Sequence, residues 1–125
     1  MTPSRPGFEV LDRIGMSLEI NGKRYGTDAE GYLTDLSAWN PEFAGAMAAN
    51  EGIALSNEHW QVIHFLREYY QEYGIAPSVR VLVKIIGQRL GEDKAKSAYL
   101  YRLFPEGPAK QACKYAGLPK PTGCV

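Results

Sequence analysis

The sequence predicts a mainly helical α+β protein: a compact helical domain of about five helices with a helix-turn-helix-like core, a small N-terminal β-hairpin and a flexible C-terminal arm. Three observations lead there. Between residues 40 and 117, capping residues, prolines at first helical positions and closing glycines bracket a series of apolar-periodic stretches. An Asn-Gly pair at 21–22 separates two short runs with strand character. The closing LPKPTGCV carries two prolines and a glycine and propagates neither helix nor ladder. The 125 residues, 45% hydrophobic, suffice for one domain with its own core, placed at residues 1–117, and the arm takes 118–125.

Each element has its own justification. Met16-Ser17-Leu18-Glu19-Ile20 alternates, Asn21-Gly22 turns, Lys23-Arg24-Tyr25 returns, and Gly31-Tyr32-Leu33 offers a short third strand. So small a sheet needs a helix to cover it. Asn40-Pro41-Glu42 combines an N-cap, a first-position proline and an early carboxylate, which predicts a helix to about Asn50. Ser56 caps a longer helix with Trp60, Ile63, Leu66, Tyr70 and Tyr73 at helical spacing, and Gly74 stops it. Ser78 caps the next, Val79 to Leu90, closed by Gly91; apolar residues cover most of its circumference, so it is expected to be the central buried helix. A helix from Lys94 to about Leu103 follows, and Gly107-Pro108 opens a last one to Ala116.

Composition narrows the function. The opening Met1-Thr2-Pro3-Ser4-Arg5-Pro6 has no apolar core like that of a signal peptide, and no run approaches the roughly 20 apolar residues of a membrane span. The expectation is a cytoplasmic protein without membrane insertion, in a compartment that keeps thiols reduced. The net charge of zero conceals an asymmetry: residues 1–79 hold five Lys/Arg against eleven Asp/Glu, and residues 80–125 hold nine against three. Two readings follow: halves that neutralise one another, or a basic surface around the arm that attracts anions or a partner.

The chemistry centres on two cysteines. The last helix sets Ala109, Ala112, Cys113 and Ala116 on one face, so Cys113 lies on the stripe that docks, while Lys110, Gln111 and Lys114 face outward. Cys124 is the second-last residue; from Gly117 the chain reaches at most about 23 Å, enough to fold back or to enter another protein. Two cysteines ten residues apart do not match a zinc pattern. His59 and His64 diverge by about 140° round their helix and read as surface residues, so no metal is expected. No local base–orienter relay supports a Cys–His nucleophile, and there is no Gly-rich phosphate loop. A structural disulfide would restrain the unfolded chain by about 3 kcal/mol, but only under oxidising conditions. A reversible link between a docked thiol and a travelling one is the other reading, with Gly123 free to turn. The helix C-terminus disfavours a Cys113 thiolate while Lys110 and Lys114 favour it; the terminal carboxylate slightly discourages ionisation at Cys124. A DNA-binding helix-turn-helix regulator, with Arg80, Lys84 and Arg89 on its second helix, is a further reading, opposed by that helix's apolar character.

The runs Tyr99-Leu100-Tyr101-Arg102-Leu103-Phe104-Pro105, Gly107-Pro108-Ala109-Lys110-Gln111-Ala112-Cys113-Lys114 and Ala116-Gly117-Leu118-Pro119-Lys120-Pro121-Thr122-Gly123-Cys124-Val125 closely resemble the DsrC family, the gamma subunit of dissimilatory sulfite reductase. The likeness extends upstream through Gly31-Tyr32-Leu33, Trp39-Asn40-Pro41, Trp60 and Tyr73-Gly74-Ile75-Ala76-Pro77. The related TusE proteins, which relay sulfur towards tRNA 2-thiouridine, share the arm but typically lack the upstream cysteine, so Cys113 favours the DsrC branch. The resemblance implies a sulfur carrier and co-substrate rather than an enzyme with turnover of its own, without a cofactor. It implies that Cys124 accepts sulfur, as a persulfide or from sulfite reductase, and that Cys113 resolves it as a trisulfide or disulfide. Implied partners are the alpha and beta subunits of dissimilatory sulfite reductase, a membrane-bound thiol/disulfide reductase complex and, in sulfur oxidisers, a sulfurtransferase. Arg102, Lys110, Lys114 and Lys120 would attract anionic sulfur species or the mouth of the partner's channel.

Overall fold

The computed structural model describes residues 9–12 and 17–121. Strands β1 (Glu9–Asp12), β2 (Ser17–Ile20) and β3 (Lys23–Gly26) form an antiparallel sheet in the order β1-β2-β3. Asn21 and Gly22 both take positive φ, 52° and 86°, which gives the two-residue turn whose twist matches the strands it joins. In this register Leu18 faces Tyr25 across the β2–β3 ladder, and the buried Leu18, Ile20 and Tyr25 meet the helices. The third strand is β1, upstream of the hairpin, and not Gly31-Tyr32-Leu33. There the chain makes a single bridge, Thr27 to Leu33. Asp28 explains the difference: its carboxylate accepts from the amides of Glu30 and Tyr32, and Gly31 turns at φ 92°, so the segment closes on itself as a loop.

Five α-helices follow: α1 (Pro41–Asn50), α2 (Asn57–Tyr73), α3 (Val79–Leu90), α4 (Ser97–Leu103) and α5 (Pro108–Tyr115). Their starts follow the capping chemistry. Asn40, Ser56 and Ser78 each accept a backbone amide at the third helical position, and Gly74 closes α2 in the left-handed conformation at φ 73°. α4 begins later than its apolar pattern suggests. Lys94, its expected start, instead ends a separate 3-10 segment, Glu92–Lys94, and Ala95 follows pressed on α3, where a Cβ added at Gly87 would collide with that of Ala95.

The centre of the molecule is α5, not α3. α3 buries Leu82, Ile86 and Gly87, and its other apolar residues are only partly covered. α5 packs against α1, α2, α3 and α4 and buries Ala109, Ala112, Cys113 and Tyr115 completely. Small residues decide this, because an alanine and cysteine face lets four neighbouring helices approach at native packing density. The α2–turn–α3 segment is the expected helix pair, with Arg80, Lys84 and Arg89 exposed on the outside of α3. None of the described helices is long and apolar enough to cross a membrane.

Candidate functional site

The site is built on α5 and the chain that leaves it. Cys113 lies on the docked face as its spacing requires, and its side chain is buried. Cys124 lies outside the described residues, as does the end of the arm from 122 onward. The first part of the arm is docked on the body: Leu118 and Pro121 are buried, and Lys120 Nζ lies 3.0 Å from Glu30 Oε2. From Pro121 to Cys124 is three residues, a reach of at most about 10 Å.

The turn that starts the arm is a Schellman motif. Gly117 sits at φ 73°, its amide donates to the Lys114 carbonyl at 3.2 Å, and the Leu118 amide donates to the Cys113 carbonyl at 3.0 Å. Two carbonyls of the last turn remain, and two side chains from distant elements take them. Trp39 Nε1 donates to Tyr115 O at 2.8 Å, and Arg67 donates to Ala116 O at 2.7 Å. Arg67 also lies over the Trp39 ring, 4.1 Å from its centroid, and burial lowers the guanidinium pKa from its ordinary value.

A cleft of about 470 Å³ opens beside α5, lined by Glu30, Tyr32, Glu51, Glu106, Lys110, Gln111, Lys114 and Lys120. Three of the four basic residues singled out in the sequence, Lys110, Lys114 and Lys120, therefore share one wall system. Arg102 does not join them. It stands on α4 with its guanidinium 5.8 Å from the Tyr99 ring. The cleft is mixed in charge, because Lys114 pairs with Glu51 at 3.4 Å and Lys120 with Glu30. Tyr32 spans it, donating to Lys110 O at 3.2 Å beneath the Lys114 ammonium. Burial raises its pKa to about 12, with smaller contributions from the neighbouring Cys113, Glu30, Asp28 and Glu51.

Gln111 was expected to face outward and instead is 3% exposed. Its amide nitrogen donates to Glu51 Oε1 at 2.9 Å and to Tyr115 Oη at 2.8 Å, and its oxygen accepts from the Glu106 amide at 2.9 Å. Tyr115 Oη donates to the same Glu51 oxygen. Burial works against the Glu51 carboxylate, but the bonds from Tyr115 and Gln111 and the charge of Lys114 outweigh it and hold its pKa below the ordinary value. Burial and then Glu51 push the Tyr115 phenol well above its usual range. The network fastens α5 to the end of α1. Neither Glu51 nor Tyr115 has a local sequence signal for this, since they are 64 residues apart.

His59 is a further correction. It is buried, not on the surface, and it completes a capping box: its Nδ1 accepts from the Ser56 amide at 3.0 Å, and its Nε2 lies 2.8 Å from the Leu103 carbonyl. That carbonyl only accepts, so the ring is assigned as the neutral Nε2–H tautomer. His64 is exposed and stacked on Trp60. No group of three metal-ligating side chains occurs among the described residues.

Fold and site together define a small, mainly helical α+β protein whose terminal helix carries one buried cysteine and leads directly into a cysteine-bearing tail. The family model described as DsrC like protein matches residues 19–125, and the chain belongs to that family. It is 57% identical over 108 residues to the sulfurtransferase TusE of Sodalis glossinidius (strain morsitans), covering 86% of this chain and all of that protein. Among solved structures it resembles the NMR structure of Allochromatium vinosum DsrC, at 58% identity and a TM-score of 0.80, over 87% of this chain and 97% of the other. It also resembles the oxidized gamma-subunit of the dissimilatory sulfite reductase (DsrC) of Archaeoglobus fulgidus, at 46% identity and a TM-score of 0.78, over 87% of this chain and 99% of that one.

Proposed function

We propose that the chain is a sulfur-relay protein in which Cys124 takes sulfur from one protein and delivers it to another, as in the TusE branch of the family. The similarity to TusE proteins, named sulfurtransferases, over the whole of their length supports this reading. The observation that carries it is the tail itself, which starts at a fixed Schellman turn, packs as far as Pro121 and carries a thiol three residues further along the sequence. The step is transpersulfidation. A Cys124 thiolate attacks the outer sulfur of a donor persulfide, a new S–S bond forms on Cys124, and the donor leaves as its thiolate. No net oxidation occurs, no cofactor is required, and the acceptor, in this branch a protein that supplies sulfur to tRNA, completes the cycle. The chain acts as a carrier, with donor and acceptor supplying turnover.

A second reading is favoured by Cys113. A second thiol on the helix that feeds the tail suits a co-substrate of dissimilatory sulfite reductase, consistent with the similarity to gamma-subunit structures. In that reading a sulfur already reduced to the +II level is taken up between the two cysteines. Both thiols are oxidised as it reaches the zero-valent state of a trisulfide, and a membrane-bound thiol/disulfide reductase complex would restore them. Lys110, Lys114 and Lys120 would then help attract anionic sulfur species or the mouth of the partner's channel, with Arg102 acting from outside the cleft.

Intact mass decides between them. Incubation with a persulfide-charged sulfurtransferase is expected to add one sulfur atom, lost in Cys124→Ser and kept in Cys113→Ser. No gain in the unmodified chain overturns the relay. Incubation with sulfite reductase, sulfite and reductant tests the second reading: a gain of one sulfur with loss of two hydrogens supports it, and the same linked product from Cys113→Ala removes the resolving role.

A further inference from the structure

We infer that the loop from Asp28 to Tyr32 is a lid over Cys113, latched by Tyr32, and that the thiol becomes reachable from the cleft when this loop lifts. The lid goes beyond both sulfur readings and is tested without a sulfur donor. Cys113 is completely buried, although its helix borders a cleft of about 470 Å³. Among the described residues, Tyr32 lines that cleft and Cys113 does not. The lid therefore explains how a thiol can lie beside an open space and still be closed to it.

The contacts of Tyr32 place it on the turn of α5 that the thiol overlies. Side chains on a helix lean towards its N-terminus, so that of Cys113 lies over the turn holding Ala109 and Lys110. Tyr32 Oη donates to the Lys110 carbonyl on that same turn, at 3.2 Å. The Lys114 ammonium, one residue beyond the cysteine, lies 5.7 Å from the centre of the Tyr32 ring. The phenol's pKa is pushed up to about 12, first by burial and next by Cys113, as expected of near neighbours. One residue back, a Cβ on Gly31 would lie 3.7 Å from Met47 Cε and 3.8 Å from Lys114 Cδ and Cε, so the loop rests on both α1 and α5.

The bonding of the loop lets it move as a unit. Inside it, the Asp28 carboxylate accepts from the amides of Glu30 and Tyr32, and the Asp28 amide donates to the Tyr32 carbonyl at 2.8 Å. The bridge between Thr27 and Leu33 closes its base. Its polar ties to α5 and the arm are the Tyr32–Lys110 hydrogen bond and the Lys120–Glu30 ion pair, the latter between well-exposed side chains. Breaking these ties leaves the internal bonds intact, so the loop can lift by local opening while the rest of the fold stays closed.

Alkylation of the full chain carrying Cys124→Ser measures the lid, with iodoacetamide as the probe and intact mass as the readout. The Cys113 thiolate displaces iodide and gains one S–C bond. Labelling through the lid is expected to be insensitive to low urea, because lifting a short loop exposes little surface, whereas labelling through global unfolding accelerates steeply with urea. Tyr32→Phe keeps the ring and deletes the latch's hydrogen bond, and should speed labelling about fivefold without urea. Ser56→Ala acts on the cap of α2, lowers global stability, and should leave the rate unchanged. A rate that climbs steeply from the lowest urea overturns the inference, as does a Tyr32→Phe rate equal to that of the parent chain or an equal acceleration by Ser56→Ala.

Discussion

At the scale of single residues, Glu51 shows how a side chain remote in sequence controls the helix that bears a thiol. Its side chain is only a quarter exposed, and it accepts from Gln111 and Tyr115 while pairing with Lys114. Its pKa is lowered in the folded state from an ordinary value of 4.5. A carboxyl with a depressed folded pKa contributes stability that is present above its unfolded value and is lost as pH falls through the folded one. The stability difference between the unmodified chain and Glu51→Gln, measured by urea unfolding, should therefore be full near neutral pH and shrink as pH falls below about 4.5. A constant difference across that range would assign the effect to packing instead. Gly117 is decided by a different term: its φ of 73° and the indole against it leave no room for a Cβ.

At the scale of elements, α2 is stabilised at its start by more than its sequence pattern shows. Ser56 accepts from the amide of His59, His59 accepts from the amide of Ser56, and the far side of that ring reaches the last residue of α4. The cap thus joins two helices. Ser56→Ala should lower unfolding free energy by about 1 kcal/mol, the usual value of an N-cap, as read from the urea midpoint at constant slope. A loss below about 0.3 kcal/mol would mean that the histidine alone sustains the turn. α5 is stabilised in another way: its N-terminus has no side-chain cap, and its C-terminus carries the Schellman turn, Trp39 and Arg67. Its order comes from the burial of six of its eight residues rather than from helix propensity.

At the scale of the molecule, the opposite charges of the two halves are brought together. Each of the four ion pairs among the described residues, Arg89–Glu68, Lys94–Glu58, Lys114–Glu51 and Lys120–Glu30, joins the basic C-terminal part to the acidic N-terminal part. Neutralisation thus accounts for much of the asymmetry. Most of these side chains are well exposed, so their combined effect is modest. Raising NaCl to about 0.5 M should lower stability by no more than about 1–2 kcal/mol. A urea midpoint that rises with salt would show that repulsion within each half outweighs attraction between them.

Local chemistry made the helices legible in the sequence. Asn40, Ser56, Ser78, Gly74 and Gly117 act through bonds within a turn of themselves, so their effects are written in neighbouring residues. The docked face of α5 was legible for the same reason, since Ala109, Ala112, Cys113 and Ala116 follow from helical spacing alone. Tertiary structure decided what depends on distant partners. Apolar content did not reveal whether α3 or α5 occupies the centre, because side-chain size controls how closely helices approach. Polarity did not reveal that Gln111 and His59 are buried, because a polar side chain goes inside once the rest of the fold supplies its hydrogen bonds. By itself the sequence determined the two thiols, their spacing and the family they belong to. Only the fold placed Trp39 and Arg67 on the carbonyls of Tyr115 and Ala116, since unsatisfied groups at a helix end are capped by whichever donors the packing brings within reach.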